Sequence, residues 1–408
     1  HYRSHSFPTR RSSDLFARYS TAANEKTTHA NFNIGTENWA FTTGITYSDF
    51  GDLRMGSNGP DDYLRPEYVI TENGVDRLVQ NEDPRIQNPT AYNQINLLQK
   101  IKYMAGNGWD LNLGLWYSST SNFPRYDRLM EYRNGSLRST EWYYGPQDWF
   151  MGNFRINKRG ETAFYDNFQF TAAYQNFKES RHNRNFGAEE RFNSREKVDA
   201  YSFNLDFEKS FDESRIFYGG EYILNNVASK ADIFNIQSGN RTADASRYPD
   251  GSSWQSLAAY STYQWKITPK LSFQSGLRYN YIFIDAEFDD NFFDFPFSEA
   301  NINTGSLTGS AGVNWRQNNS LGWRLNFSTA FRAPNIDDIG KIFDSEPGAV
   351  VVPNPELKPE YSYNGELGFD WTPMTNLSFI FTGFYTLLDN AMVRRDFSLG
   401  GEIGRAHV

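Results

Sequence analysis

Cysteine is absent from the 408 residues, which removes disulfides, thiolate metal sites and cysteine nucleophiles at once. Histidine occurs five times, and only His29 and His182 lie away from the two ends. Basic runs are missing and the formal charge is −9, which argues against nucleic acid as a partner. No apolar stretch comes near the ~20 residues a membrane-spanning helix requires. No Gly-x-Ser-x-Gly, His-Glu-x-x-His or phosphate-cradling glycine loop occurs, so the chain reads as a non-enzyme.

What the chain has in excess is aromatic residues. They make up 17% of it, with 34 Phe, 25 Tyr and 10 Trp, yet the mean hydropathy of −0.68 is polar. A soluble aromatic core would bring more Leu, Val and Ile with it. A strand-built wall reconciles the two, with aromatics on the lipid face and girdles and polar groups towards a lumen.

Period-two patterning supports this, because alternate side chains of a strand face opposite sides. Trp39, Phe41, Thr43, Ile45 and Tyr47 alternate with Ala40, Thr42, Gly44 and Thr46. Tyr201, Phe203, Leu205 and Phe207 alternate with Ser202, Asn204, Asp206 and Glu208, and Leu321, Trp323, Leu325 and Phe327 with Gly322, Arg324, Asn326 and Ser328. The pattern predicts fourteen strands: 28–35, 38–48, 91–104, 109–118, 148–156, 163–177, 198–210, 214–225, 254–267, 271–285, 304–316, 321–332, 358–372 and 377–389. Short connections alternate with long ones at 49–90, 119–147, 178–197, 226–253, 286–303 and 333–357. A sandwich or propeller has no reason to alternate so, whereas outer-membrane barrels pair tight periplasmic turns with long external loops. The expected fold is all-β, a partial transmembrane antiparallel barrel.

The ends read differently. Residues 5–15 match the translation of a common sequencing-library adapter, and Glu402–Val408 the translation of a similar adapter from the other side. Residues 1–15 and 402–408 are therefore expected to be foreign, leaving 16–401 as the barrel piece with a charge of −11. Arg10-Arg11 imitates a twin-arginine signal, but no apolar segment follows.

Phe331-Arg332-Ala333-Pro334 follows directly on the strand 321–332, and Asn354-Pro355-Glu356-Leu357 precedes Lys358-Pro359-Glu360 across one long loop. Their order and placement resemble the paired boxes of TonB-dependent haem and haemoprotein receptors, and the Leu-Lys-Pro-Glu ending resembles TonB-dependent receptors generally. The resemblance implies a barrel of ~22 strands, about fourteen of them represented here, with the plug domain missing. It implies high-affinity uptake of a ferric siderophore, haem or haemoprotein as transported substrate, no covalent cofactor, and the TonB–ExbB–ExbD complex as partner through an N-terminal region. It implies an outer membrane and its lipid as the surroundings. A passive porin-like channel stays open as the alternative. In the haem receptors a histidine ligand lies between the boxes; Asn335–Pro353 holds none, and Glu356 stands where the family has Asn.

Candidate ligand contacts in the expected outer loops are Trp142, Tyr143, Tyr144 and Tyr248, with Trp149 beside them; the same aromatics also suit an interfacial girdle. His182 falls in the predicted loop 178–197, where a solvated histidine is the plainer reading. Asp285, Glu287, Asp289, Asp290 and Asp294 crowd another loop, but lack the order of a calcium loop and read as a solvated charged surface, so no metal site is expected.

Overall fold

In the computed structural model the described residues are 13–289, 291–292, 298–340, 351–352, 354, 357–399 and 402–407. Fifteen long strands carry the fold: β1 Ser13–Ser20, β2 Glu25–Gly35, β3 Trp39–Phe50, β4 Tyr92–Gly106, β5 Trp109–Thr120, β6 Asp148–Arg159, β7 Asn167–Asn185, β8 Glu190–Ser210, β9 Ser214–Asn235, β10 Ser253–Thr268, β11 Leu271–Glu287, β12 Glu299–Arg316, β13 Leu321–Arg332, β14 Glu360–Met374 and β15 Leu377–Asp389. Each pairs antiparallel with its sequence neighbour. The result is one long meander whose first and last strands, β1 and β15, have a single partner each among the described residues.

All fourteen expected strands are present. One more, β1, precedes them and pairs with β2 along its whole length, running through positions 13–15, which the sequence reading set aside. Arg394–Leu399 and Glu402–His407 form a small hairpin. Strand β7 starts at Asn167 rather than 163, because the Thr162 hydroxyl accepts the amides of Phe164 and Tyr165 and closes a turn. The tight turn between β4 and β5 depends on Gly108. Its φ is +78°, and a Cβ there would lie 2.1 Å from the Arg159 carbonyl oxygen.

One face of the wall is greasy and uncovered. Phe203, Leu205, Leu257, Leu277, Leu307 and Phe327 are each more than two fifths exposed. Among the described residues no second sheet or helix covers Tyr201, Phe203 and Leu205, which are 37%, 44% and 43% exposed; that is the state expected of side chains that meet lipid. The opposite face is polar and internally bonded. Arg278 Nη2 donates to Glu221 at 2.5 Å, Asn204 Nδ2 donates to the other Glu221 oxygen at 2.9 Å, and Tyr260 donates to Asp206. Trp149 and Phe150, both large, divide between the faces: Trp149 Nε1 donates to Gln175 at 3.2 Å while Phe150 stands exposed.

Strands run well past the ~9–11 residues needed to cross a bilayer; β9 alone has 22. The sequence reading placed 178–197, 226–253 and 286–303 in loops, and the structure corrects this. Strands β7 and β8 continue to Asn185 and from Glu190, and β11 continues to Glu287 with β12 starting at Glu299. Their polarity changes on the way. On β11 the lipid-facing series Leu277, Tyr279 and Phe283 becomes Asp285, Glu287 and Asp289, all exposed, while the other face changes from Arg278 and Asn280 to buried Ile282, Ile284, Ala286 and Phe288. On β8 Tyr201 gives way to Asp199, Lys197 and Arg195 at the same register. This reversal is the pattern of a wall passing from hydrocarbon into water, and it lies on the side of the long loops.

Candidate functional site

At the outer end of the wall, on the lumenal face, Ile282, Ile284 and Ala286 of β11 and Phe288 just beyond it meet Ala300 and Ile302 of β12, Ile336, Ile339 and Leu357 in a small apolar core. Each fully buried Ile or Leu there is worth about 1.5–3 kcal/mol. Strand β13 ends at Arg332 because Pro334 has no ladder donor. The next residues turn into the short helix Ile336–Gly340. Asn335 and Asp338 cap it reciprocally: the Asn335 side chain accepts the Asp338 amide at 3.0 Å, and Asp338 accepts the Asn335 amide at 3.1 Å.

This core is where the two boxes meet. Phe331 and Ala333 pack against it, Pro334 is fully buried, and Leu357 is one of its members. Arg332 links the ends of the loop between them, donating to both Asp338 oxygens at 2.7 and 2.8 Å and to Glu360 at 3.1 Å. The Phe331 ring stands 6.2 Å from that of Tyr361. Asn354 is half-buried; Pro355 and Glu356 lie outside the described residues, as do Asp290 and Asp294.

Tyr248 belongs to the same place. It packs on the core, donates to Asp337 at 2.9 Å and accepts from Arg247 Nε at 3.0 Å. Burial, and then the Asp337 carboxylate, hold its phenol pKa well above the ordinary range.

The other aromatics sit elsewhere, and on strands rather than in loops. Trp142, Tyr143 and Tyr144 occupy the short strand Ser139–Tyr144, which pairs with the upper part of β7. Trp142 and Tyr144 share one face, edge to face at 5.1 Å. Arg125 lies over the Trp142 ring at 4.9 Å and donates to the Tyr144 hydroxyl at 3.1 Å, and Arg181 lies over Tyr144 at 5.3 Å. Tyr143 points to the other face and stacks on His182 at 4.6 Å.

His182 is therefore not a solvated loop residue. It stands on β7, half-buried, with Nδ1 at 2.6 Å from Asn193 Oδ1 and Nε2 at 3.0 Å from Ser180 Oγ. Burial lowers its pKa, outweighing the Asn193 bond that raises it. Strands separated in sequence reach it only because β8 folds back at 186–189, a turn hidden in a charged stretch without periodicity.

Sequence reasoning missed the largest fully buried side chain of the region. The Arg184 side chain is 1% exposed and binds Asp76, itself 2% exposed, through both terminal nitrogens at 2.8 and 2.9 Å. Its Nε donates to Glu141 at 2.8 Å, and its remaining hydrogens reach the Ala188 carbonyl and Thr71 Oγ1. Burial alone would raise the Asp76 pKa; bonds from Arg184, Thr140, the Gly187 amide and Thr71 outweigh it and hold it at about 2. Asp76 and Arg184 lie 108 residues apart, and no local motif announces the pair. It ties the hairpin of Glu67–Glu72 and Val75–Gln80 to the top of the wall.

The arrangement offers aromatic faces, arginines and carboxylates for binding. The family model described as TonB dependent receptor-like, beta-barrel, matches residues 105–402. Among solved structures, the copper transporter OprC superposes with a TM-score of 0.69 at 10% identity, covering 97% of this chain and 55% of that one. The Serratia marcescens hemophore receptor HasR, solved with its hemophore HasA and heme, gives 0.69 at 14%, covering 97% and 58%. The siderophore receptor PiuA from Acinetobacter baumannii gives 0.60 at 13%, covering 97% and 58%. At such identities the likeness is one of fold. The chain spans 55–58% of the length of these three. A sequence comparison with curated proteins finds no match.

Proposed function

We propose that this chain, which belongs to the TonB-dependent receptor β-barrel family, is barrel wall of an outer-membrane receptor-transporter that takes up a ferric chelate. The observation that carries the reading is the junction at the outer mouth, where Arg332 and Leu357, one from each box, are held by Asp338, Glu360 and one apolar core. A ligand arriving at low concentration requires tight binding, and tight binding makes release slow unless work is supplied. TonB, with ExbB and ExbD, would supply that work through a plug domain, and neither the plug nor those partners is part of this wall. The passive porin alternative draws no support from the family match or from the neighbours of similar fold.

Chelated iron is preferred over haem on the state of the histidines. His182 has both ring nitrogens within bonding distance of its own wall, and His29 Nδ1 lies 2.7 Å from Thr46 Oγ1. Haem is the second reading. It is favoured by the box resemblance, with tyrosine as the ligand type.

The test is growth of a strain lacking its iron receptors, carrying the complete receptor gene, on single iron sources. Growth on ferric siderophores that disappears when TonB is deleted is expected. Growth on haem alone selects the second reading, and TonB-independent uptake of small solutes would return the porin.

A further inference from the structure

The exterior face of β7–β9 carries a feature that receptor function leaves unexplained. Just above the greasy band, like charges stand directly opposite one another: Lys178 faces Lys197 across β7 and β8, and Arg195 faces Lys230 across β8 and β9. Directly opposed like charges destabilise a sheet. The Lys197, Arg195 and Lys230 side chains are 47%, 45% and 75% exposed, each with one carboxylate beside it.

The neighbouring carboxylates are already engaged. Asp199 accepts from Tyr174 at 2.7 Å and Asn176 at 2.6 Å, and pairs with Lys197 at 2.7 Å. Asp232 is shared by Asn193, Arg195 and Arg241. Asp148, opposite Lys178, accepts from Ser119, and Asp250 lies 4.0 Å from Lys230 while accepting the Ser229 amide. Counting Arg241, five cations thus stand against four carboxylates, in a chain that is acidic overall. At comparable height the β11–β12 face has the opposite sign, with Asp285, Glu287 and Glu299 exposed.

Depth completes the argument. One step below Asp199 lie Tyr174 and Tyr201, rings 5.0 Å apart, with Phe203 and Leu205 beneath. Paired tyrosines with cations above them are the arrangement found where acyl chains end and headgroups begin.

We propose that Lys178, Arg195, Lys197 and Lys230 form a docking site for the phosphate-bearing headgroup of an outer-leaflet lipid. The headgroup anion lies between the opposed pairs and relieves their repulsion, so the lipid is held at one sector of the wall. The proposal rests on the membrane reading of the exterior face.

The chain reconstituted in detergent micelles, its strand content checked by circular dichroism, is titrated with phosphatidylglycerol and with phosphatidylcholine, and bound lipid is counted by native mass spectrometry. Selective binding of phosphatidylglycerol is expected. It should weaken on the order of a hundredfold in Lys178→Gln/Lys197→Gln/Lys230→Gln, persist in the corresponding Lys→Arg set, and be untouched by Asp285→Asn/Glu287→Gln. Equal binding of both lipids, or an unchanged triple Gln variant, overturns the proposal. Displacement by millimolar inorganic phosphate without any acyl-chain dependence also overturns it, in favour of a simple anion site. Failure of the chain to enter micelles at all would instead refute the membrane reading.

Discussion

The lower and upper halves of the same strands obey opposite rules. Below the row of Tyr201 and Phe283, large apolar side chains point outward and stay uncovered while polar groups bond to one another along the opposite face. Above it, charges point outward, and apolar side chains turn inward beneath a helix and a loop. The backbone pairing runs through the boundary without a register shift on β7–β8, β8–β9 or β11–β12. Only the solvent changes. Hydrogen bonding makes the sheet, and the medium beside each face decides which residues it tolerates.

Four substitutions or conditions would break or sharpen that contrast. The largest effect is expected from Arg184→Ala, which leaves Asp76 buried without its cation; breaking such a pair costs about 3–5 kcal/mol. The hairpin of Glu67–Glu72 and Val75–Gln80 should then become a protease site while the micelle-embedded strands stay resistant. Leu205→Arg places a charge on the lower, lipid-facing half and should destabilise the folded chain by about 2–4 kcal/mol in a denaturant titration in micelles. Unchanged stability would mean that this face does not meet hydrocarbon.

Acidification acts on two groups of the upper half. His182 is held neutral by burial, so the folded state resists its protonation. Stability from this group is present above the ordinary pKa near 6.5 and falls as pH drops below it. Asp76, with its pKa held at about 2, adds stability above the ordinary carboxylate range that is lost only as pH approaches 2. The protection of the upper β7–β8 amides, measured as exchange relative to the intrinsic rate at each pH, should therefore fall between pH 7 and 5, and His182→Gln should remove that step. The smallest effect is expected from Lys197→Leu, within about 0.5 kcal/mol by denaturant titration, because an exposed position above the boundary has no packing to lose. The same type of residue is demanded two turns of the pleat lower.

Strand positions were legible wherever one face meets lipid, since the alternation of Tyr201, Phe203, Leu205 and Phe207 with Ser202, Asn204 and Asp206 needs no tertiary information. Legibility stopped at the boundary. Residues 190–199 form the upper β8, yet one face is polar or charged throughout and the other mixes Phe192 and Val198 with Glu190, Ser194 and Glu196, so no period survives to be read. Positions 282–288 failed for a related reason: the apolar series passes to the other face, and the charges Asp285 and Glu287 resemble a loop. The motif boxes were visible as strings, and Pro334 as a strand end. That Leu357 would join Phe331 and Ala333 around Ile284 depended on a loop closing, which no local pattern encodes.

Composition and periodicity by themselves determined an all-β wall with one greasy face, its strand order and the alternation of short and long connections, because each follows from neighbours in sequence. Tertiary structure alone decided where the wall leaves the membrane, that Asp76 finds Arg184, that His182 is enclosed, and that Lys178 opposes Lys197. Those outcomes hang on pairing between strands and on loops folding over them, where a contact is set by the register of distant segments and the medium around them.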